Sequence, residues 1–277
     1  MGVLGATLAS MDSAQKIEEV FLAPVGATLA SHDTRTIVRD GWHQVITPSS
    51  GAIHGNEVIY SRIAPPDVEA VLRRTIAEYA GHGLPFRWCV GPLTEPAPAD
   101  FGALLCRYGF TWHDGRGMAV DPASWKAPHA AKGVALEAIT PANVAEYVEA
   151  VAAGWELQFD VATRCDDVVR AIGTGRFHYV MARVEGAIAG TAGFVEKPRS
   201  AYLIGGNVLP SYRGRGIYRA LVAHRLEHIR AMGLKLATTH ARESTSAPIL
   251  EALGFETVYR SRMYTLVDSR AAVVRLP

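Results

Sequence analysis

Apolar and polar positions alternate with a period of two in several short runs and recur every three to four residues in others. "RTIVRDGWHQVI" and "EVIYSRI" alternate and predict strands. "PPDVEAVLRRTIAEYAGHG" predicts a helix. Asp67 is its expected cap; Val68, Val71, Leu72 and Ile76 share one face, and Gly81 or Gly83 stops it. "FRWCV" reads as a short buried strand, "PADFGALLCRYGF" as a helix ending at Gly109, and "TWHDGRGMAVD" as a returning strand. Ahead of these, a helical pattern runs from about Ser13 to Ser31, with Pro24 as an expected break. Prolines and small residues over Pro122–Lys132 predict a linker.

The remainder is more regular. "VALEAI" predicts a strand, and "PANVAEYVEAVAAGW" and "ATRCDDVVRAIGTG" predict helices. "FHYVMARVEG", "AIAGTAGFVEK" and "AYLIGGNVLP" predict three strands, the first two a hairpin around Glu185–Gly186. "GIYRALVAHRLEHIRAMG" predicts a helix with Leu221, Leu226, Ile229 and Met232 inward. A strand ("LKLATTHA"), a short helix ("SAPILEALG") and a last strand ("FETVYRSRMYTLV") close the order β-α-α-β-β-β-α-β-α-β. That order implies an α/β fold with a mixed sheet.

The halves resemble each other at a constant offset. "RYGF" with Gly109 aligns with "ALGF" with Gly254 (254 − 109 = 145), and Pro65 with Pro210 and Met118 with Met263 share the same spacing. The first copy lacks a counterpart of "RGRG" after its proline. This pattern predicts a diverged tandem repeat, with one domain over 1–125 and another over 133–277.

Composition narrows the possibilities. A net charge of +1 argues against a nucleic-acid partner. The start "MGVLGATLAS" has no basic segment, and no apolar run is long enough to span a bilayer. The expectation is a soluble cytoplasmic protein without a membrane partner, and the arginine- and alanine-rich composition fits a bacterial source. Cys89, Cys106 and Cys165 form no metal-ligand spacing or disulfide framework and are expected as buried, inert thiols.

"VLPSYRGRGIYRALV" carries the candidate chemistry. A loop with Gly214 and Gly216 feeds a helix whose first N–H groups are unpaired, which favours an anion. Arg213 and Arg215 add charge at its mouth. The residues alone equally allow a plain turn with solvated arginines. They fit neither a dinucleotide fingerprint, since Arg219 stands where its third glycine belongs, nor a Walker loop.

Together with "MGLKLATTHARESTSAPILEALGF", this stretch resembles the GNAT superfamily of acyl-CoA-dependent N-acyltransferases. Val208, Pro210, Arg213, Gly216 and Gly254–Phe255 fall in register with the family pattern. The resemblance covers about Gly133 to Val267 well and the first copy weakly. It implies two GNAT-like α/β domains, each a mixed, mostly antiparallel sheet flanked by helices, the N-terminal one degenerate. It assigns the pyrophosphate of coenzyme A to Arg213, Gly214, Arg215, Gly216, Ile217 and Tyr218, and the pantetheine to Asn207, Val208 and Leu209. Tyr218 departs from the small residue usual there; its ring either covers the cofactor channel or packs under the sheet.

The implied activity is N-acetylation of a primary amine, on a small molecule, with acetyl-CoA as cosubstrate; the alternative is a non-catalytic acyl-CoA-binding or sensing protein. The family's acid, a tyrosine in the short helix, is replaced by Leu250, and the asparagine often found before that helix by Glu243. Glu196 and His240 are the candidate bases, with Glu196 preferred because a carboxylate also attracts a cationic amine. Trp155 and Glu156, with Asp160 nearby, are the candidate acceptor-binding residues. No metal is expected.

Overall fold

The computed structural model describes residues 11–126 and 133–274. The opening "MGVLGATLAS" and residues 127–132 of the expected linker lie outside the described residues.

Asp12 caps helix α1 (Ser13–Phe21): its carboxylate accepts from the Gln15 amide, and the Gln15 side chain accepts from the Asp12 amide. The helix ends before Pro24 and does not reach Ser31, because a proline within it would remove a ladder donor. There follow β1 (Arg35–Arg39), β2 (Trp42–Ile46), β3 (Glu57–Ser61), α2 (Val68–His82), β4 (Phe86–Val90), α3 (Pro98–Arg107) and β5 (Thr111–Val120). Asp67 stands at the cap position of α2, as expected. It ends a tight turn over Pro65–Asp67, and its side chain makes no cap bond. Val68, Leu72 and Ile76 are buried, Val71 is half-buried, and left-handed Gly83 closes the helix.

The second half contributes β6 (Val134–Ala138), α4 (Val144–Trp155), α5 (Val161–Gly173), β7 (Phe177–Val184), β8 (Ala187–Glu196), β9 (Ala201–Val208), α6 (Ile217–Ala231), β10 (Ala237–Arg242), α7 (Ser246–Ala252) and β11 (Glu256–Leu266). Glu185 and Gly186 are both left-handed and turn β7 into β8, as the sequence predicts. A final helix, α8 (Ser269–Val274), has no counterpart in the sequence reading. It docks on the first half, where Ser269 Oγ donates to the Leu84 carbonyl at 2.8 Å and Ala272 joins the core around Leu72 and Phe86.

Among the described residues eleven strands form one sheet, in the order β1-β2-β3-β4-β11-β5-β10-β9-β8-β7-β6. Only β3–β4 and β9–β10 are parallel. The two closing strands exchange places. β5, from the first half, pairs with β10; β11, from the second, pairs with β4; and the two pair with each other at the centre. The sheet therefore does not divide between 1–125 and 133–277. Trp125 ties the expected linker to the second half: its ring is 7% exposed, and its N–H donates to the Leu253 carbonyl at 2.9 Å.

Helices α6 and α7 cover one face of the second half, over Phe194, Leu203 and Ala241. Helices α4 and α5 cover the opposite face, over Tyr179, Met181 and Ile204. Cys89 is buried as expected, but Cys106 is exposed on α3, and Cys165 is only half-buried, at the edge of the core under α4 and α5. No helix among the described residues is long and apolar enough to cross a membrane.

Candidate functional site

Strands β9 and β10 pair over only two positions, Ala201 with Ala237 and Tyr202 with Thr238, and then part. Beyond Tyr202 one edge of β9 has no strand beside it among the described residues, while the other edge stays on β8 as far as Val208. A bulge interrupts that second pairing: Gly193 faces Ile204, but Thr191 faces Asn207. Gly205, with φ 59°, supplies the left-handed residue the bulge needs. Arg225 of α6 fixes it from below. Its guanidinium, 3% exposed and without a carboxylate partner among the described residues, donates to the carbonyls of Leu221, Gly193 and Ile204 at 3.0–3.3 Å. Burial lowers its pKa to about 10, so it stays charged at neutral pH.

The chain leaves β9 through Leu209, whose amide donates to the Ala189 carbonyl, and a tight turn over Pro210–Tyr212. Gly214 (φ 79°) and Gly216 (φ 77°) then turn it into α6. The first bond of the α6 ladder runs from the Ala220 amide to the Gly216 carbonyl, and no side chain caps the helix. The amides of Ile217, Tyr218 and Arg219 thus precede the ladder. Arg213 Nε donates to the Val208 carbonyl at 3.2 Å, and the Arg215 guanidinium lies over the Tyr212 ring at 5.4 Å. The side chain of Ile217 is core, so only its amide faces the loop. The Tyr218 ring packs under the sheet against Gly206, which decides between its two expected roles.

These features fit coenzyme A. A β-carbon on Gly214 would meet no atom within 4 Å, so an anion can approach the loop backbone. At the loop end of β9, Asn207 Nδ2 and, across from it on β8, Thr191 Oγ1 are buried without a hydrogen-bond partner among the described residues. These two residues face each other across β8 and β9, and the Asn207 amide packs against Gly154 of α4.

The first half has the same opening but fills it. β3 and β4 pair only at Glu57–Arg87 and Val58–Trp88. The gap beyond takes the chain's own Glu95, whose amide donates to the Ser61 carbonyl and whose carbonyl accepts from the Ile63 amide, both at 3.1 Å. No glycine loop follows Pro65.

On the α4 face of the opening, Tyr202, His240 and Tyr259 form a chain. The Tyr202 hydroxyl lies 3.1 Å from His240 Nδ1, and His240 Nε2 lies 2.6 Å from the Tyr259 hydroxyl. Burial, then the charge of Arg87, lowers the His240 pKa to about 4, so the ring is neutral at pH 7. A neutral imidazole has one N–H and one lone pair, so one tyrosine donates to it and the other accepts from it.

Glu196 lies elsewhere. It pairs with Ala201 at the closed end of β9, roughly 20 Å along the strand from Asn207. It shares the α6 face with Phe194, two residues before it, on which His178 and His228 pack. The structure does not bring Glu196 and His240 together, and it overturns the preference for Glu196: a carboxylate at the closed end, on the opposite face, cannot reach the opening. Trp155 is half-buried at the end of α4, with its ring 5.7 Å from the His54 ring of the first half. Glu156 is exposed in a left-handed turn. Asp160 is occupied as the cap of α5, accepting from the Thr163 amide at 2.7 Å.

The model of the GNAT acetyltransferase family matches residues 145–255, the segment that holds this opening and its loop. The second half carries a GNAT domain. Solved structures with the same fold include a functionally unknown conserved protein from Staphylococcus epidermidis. Its TM-score is 0.64 at 13% identity, covering 85% of this chain and 95% of that one. A tandem GNAT protein from the clavulanic acid biosynthesis pathway gives 0.59 at 19% identity, covering 95% and 90%. A GCN5-related N-acetyltransferase from Kribbella flavida gives 0.60 at 16%, covering 95% and 96%. At these identities the likeness is one of fold. No curated protein matches the chain.

Within the GNAT domain, Leu250 is 1% exposed in the core around Leu226 and Leu253, so nothing polar occupies the usual place of the acid. Glu243 accepts from Arg116 and Arg260, which hold its pKa near 2; it ties α7 to the central strands. Tyr202, Tyr259 and Arg225 escaped the sequence reading. A buried arginine in "ALVAHRLEHI" was the one visible signal, since it interrupts an apolar stripe.

Proposed function

We propose that the protein transfers an acetyl group from acetyl-CoA to a primary amine of a small molecule, using one cofactor cleft in its GNAT domain. The observation that carries this reading is the parting of β9 and β10 above a left-handed glycine loop with unpaired amides. Arg213 to Tyr218 would hold the pyrophosphate through backbone N–H groups and the charges of Arg213 and Arg215. Asn207, Val208 and Leu209 would line the pantetheine. The bound cosubstrate supplies an acyl group activated as a thioester.

The chain's own residues hold, orient and move protons. Arg225 fixes the bulge that aims the β9 backbone at the opening. The amine nitrogen bonds to the acyl carbon as the C–S bond breaks, and the proton leaving nitrogen is matched by one taken up by the departing thiolate. Tyr202 stands where the strands part, with His240 and Tyr259 behind it, so a proton entering at the Tyr202 hydroxyl can pass along two hydrogen bonds. With its low pKa, His240 relays a proton without storing it.

Release of free thiol from acetyl-CoA, measured against amines, aminoglycosides, amino acids and polyamines, tests the proposal. Turnover with an amine, lost in Gly216→Val, supports it. Cofactor binding without turnover on any acceptor would instead establish the non-catalytic binding protein.

A further inference from the structure

The face of the sheet that carries Tyr202 and His240 is shared between the halves, and its charges are unevenly spent. Glu57 on β3 is buried, and Arg87 beside it on β4 donates to it through Nε at 2.6 Å. That bond uses one edge of the guanidinium. The two Nη groups have no hydrogen-bond partner among the described residues, and the side chain is 29% exposed, so solvent reaches it. Arginine presents its Nη pair as a fork that matches the two oxygens of a carboxylate.

Among the described residues no carboxylate other than Glu57 pairs with that guanidinium. Arg242, at the end of β10, is exposed and forms no ion pair among the described residues. After burial itself, the charges of Arg242 and Arg87 hold His113 below the usual imidazole range. The Arg87 amide donates to the Asn56 carbonyl at 3.1 Å, and His54, two residues before Asn56, packs on Trp155 at the end of α4, next to Gly154, whose backbone lies against the Asn207 side chain; these contacts bring the start of β4 to the side of the opening. Glu57 is already neutralised by Arg87, so the recess keeps a surplus of positive charge. Such a surface repels a simple alkylammonium and attracts an acceptor that brings its own negative group.

We propose that the Nη groups of Arg87 bind a carboxylate of the acceptor, so that the amine acylated here belongs to an amino acid. The proposal rests on the acyl-transfer reading of the cleft, and it makes the first half a part of the acceptor site. Neither residue of the Glu57–Arg87 pair was singled out in the sequence, because they are thirty positions apart and meet only through strand pairing.

Matched pairs test it: phenylalanine with phenethylamine, tryptophan with tryptamine, and lysine with cadaverine. Each is offered with acetyl-CoA, and each is also titrated calorimetrically into the coenzyme A-loaded protein. The amino acid of at least one pair should be preferred by roughly 10- to 100-fold in kcat/KM or in affinity, the range for a charge-assisted pair of hydrogen bonds. Arg87→Met should remove the preference while coenzyme A affinity stays unchanged, and Arg87→Lys should restore part of it. Equal use and equal binding of both members of every pair by the wild-type protein overturns the proposal without any variant. A preference that survives in folded Arg87→Met overturns it as well. Failure of the acyl-transfer reading is separate: coenzyme A itself would then not bind, or no thiol would be released while the binding preference stands.

Discussion

His240 and Tyr259 meet across a strand that separates them. His240 on β10 and Tyr259 on β11 both pair with Gly117 on β5, and their side chains join above it at 2.6 Å. A β-carbon on Gly117 would run into the Tyr259 ring. The glycine is there because two larger side chains need the space over it.

Gly117→Ala should therefore displace Tyr259 and cost about 1–3 kcal/mol, the range for overpacking. Denaturant unfolding measures the loss. Ring NMR should show the His240 resonance moving with it. An alanine variant of wild-type stability, with that resonance unmoved, would show that the ring has room to shift.

The pH dependence follows from His240. An unfolded imidazole titrates near 6.5, and this one near 4. The unfolded chain takes the proton first, so the stabilisation is present above about pH 6.5 and is lost as pH falls toward 4. The stability gap between wild type and His240→Gln should narrow between pH 7 and pH 4.5. Titration of the His240 resonance near 6.5 would contradict this account.

Gly216 is left-handed at the mouth of α6. Gly216→Val should abolish coenzyme A binding in calorimetry while the far-UV spectrum is kept. Arg213→Ala should weaken binding by roughly 1–3 kcal/mol. Unchanged affinity in both folded variants would remove the loop from the cofactor site.

Among the described residues, a segment of the chain pairs into the opening of the first half and none into that of the second. Titration should give one coenzyme A per chain. Two equivalent sites would mean that the Glu95 segment gives way to ligand.

Glu196→Gln should leave kcat/KM near wild type, because the carboxylate sits at the closed end of β9. Tyr202→Phe should lower it by roughly 10²-fold, as loss of a proton-transfer group does. It should leave coenzyme A affinity intact. The reverse ranking would return the proton to Glu196 and leave the tyrosine chain structural.

The sequence by itself determined what is local. Strand alternation, the helix stripes and the Glu185–Gly186 turn depend on neighbours a few residues apart, and the structure repeats them. The glycine loop is local too, since Gly214 and Gly216 take the left-handed backbone that turns the chain into α6. The tertiary structure alone decided which strand pairs with which. β5 and β11 lie at the same offset in two similar halves, so each could close either half-sheet, and local pattern does not distinguish its own partner from the other's. The exchange is seen only in the strand order of the whole sheet. The site depends on that choice. Alternation shows that Glu196 and His240 each face one side of a strand, but not that the sides are opposite. It cannot show that Tyr259 arrives from β11, or that Arg87 meets Glu57 on β3, because side chains so far apart in sequence meet only once the sheet has formed.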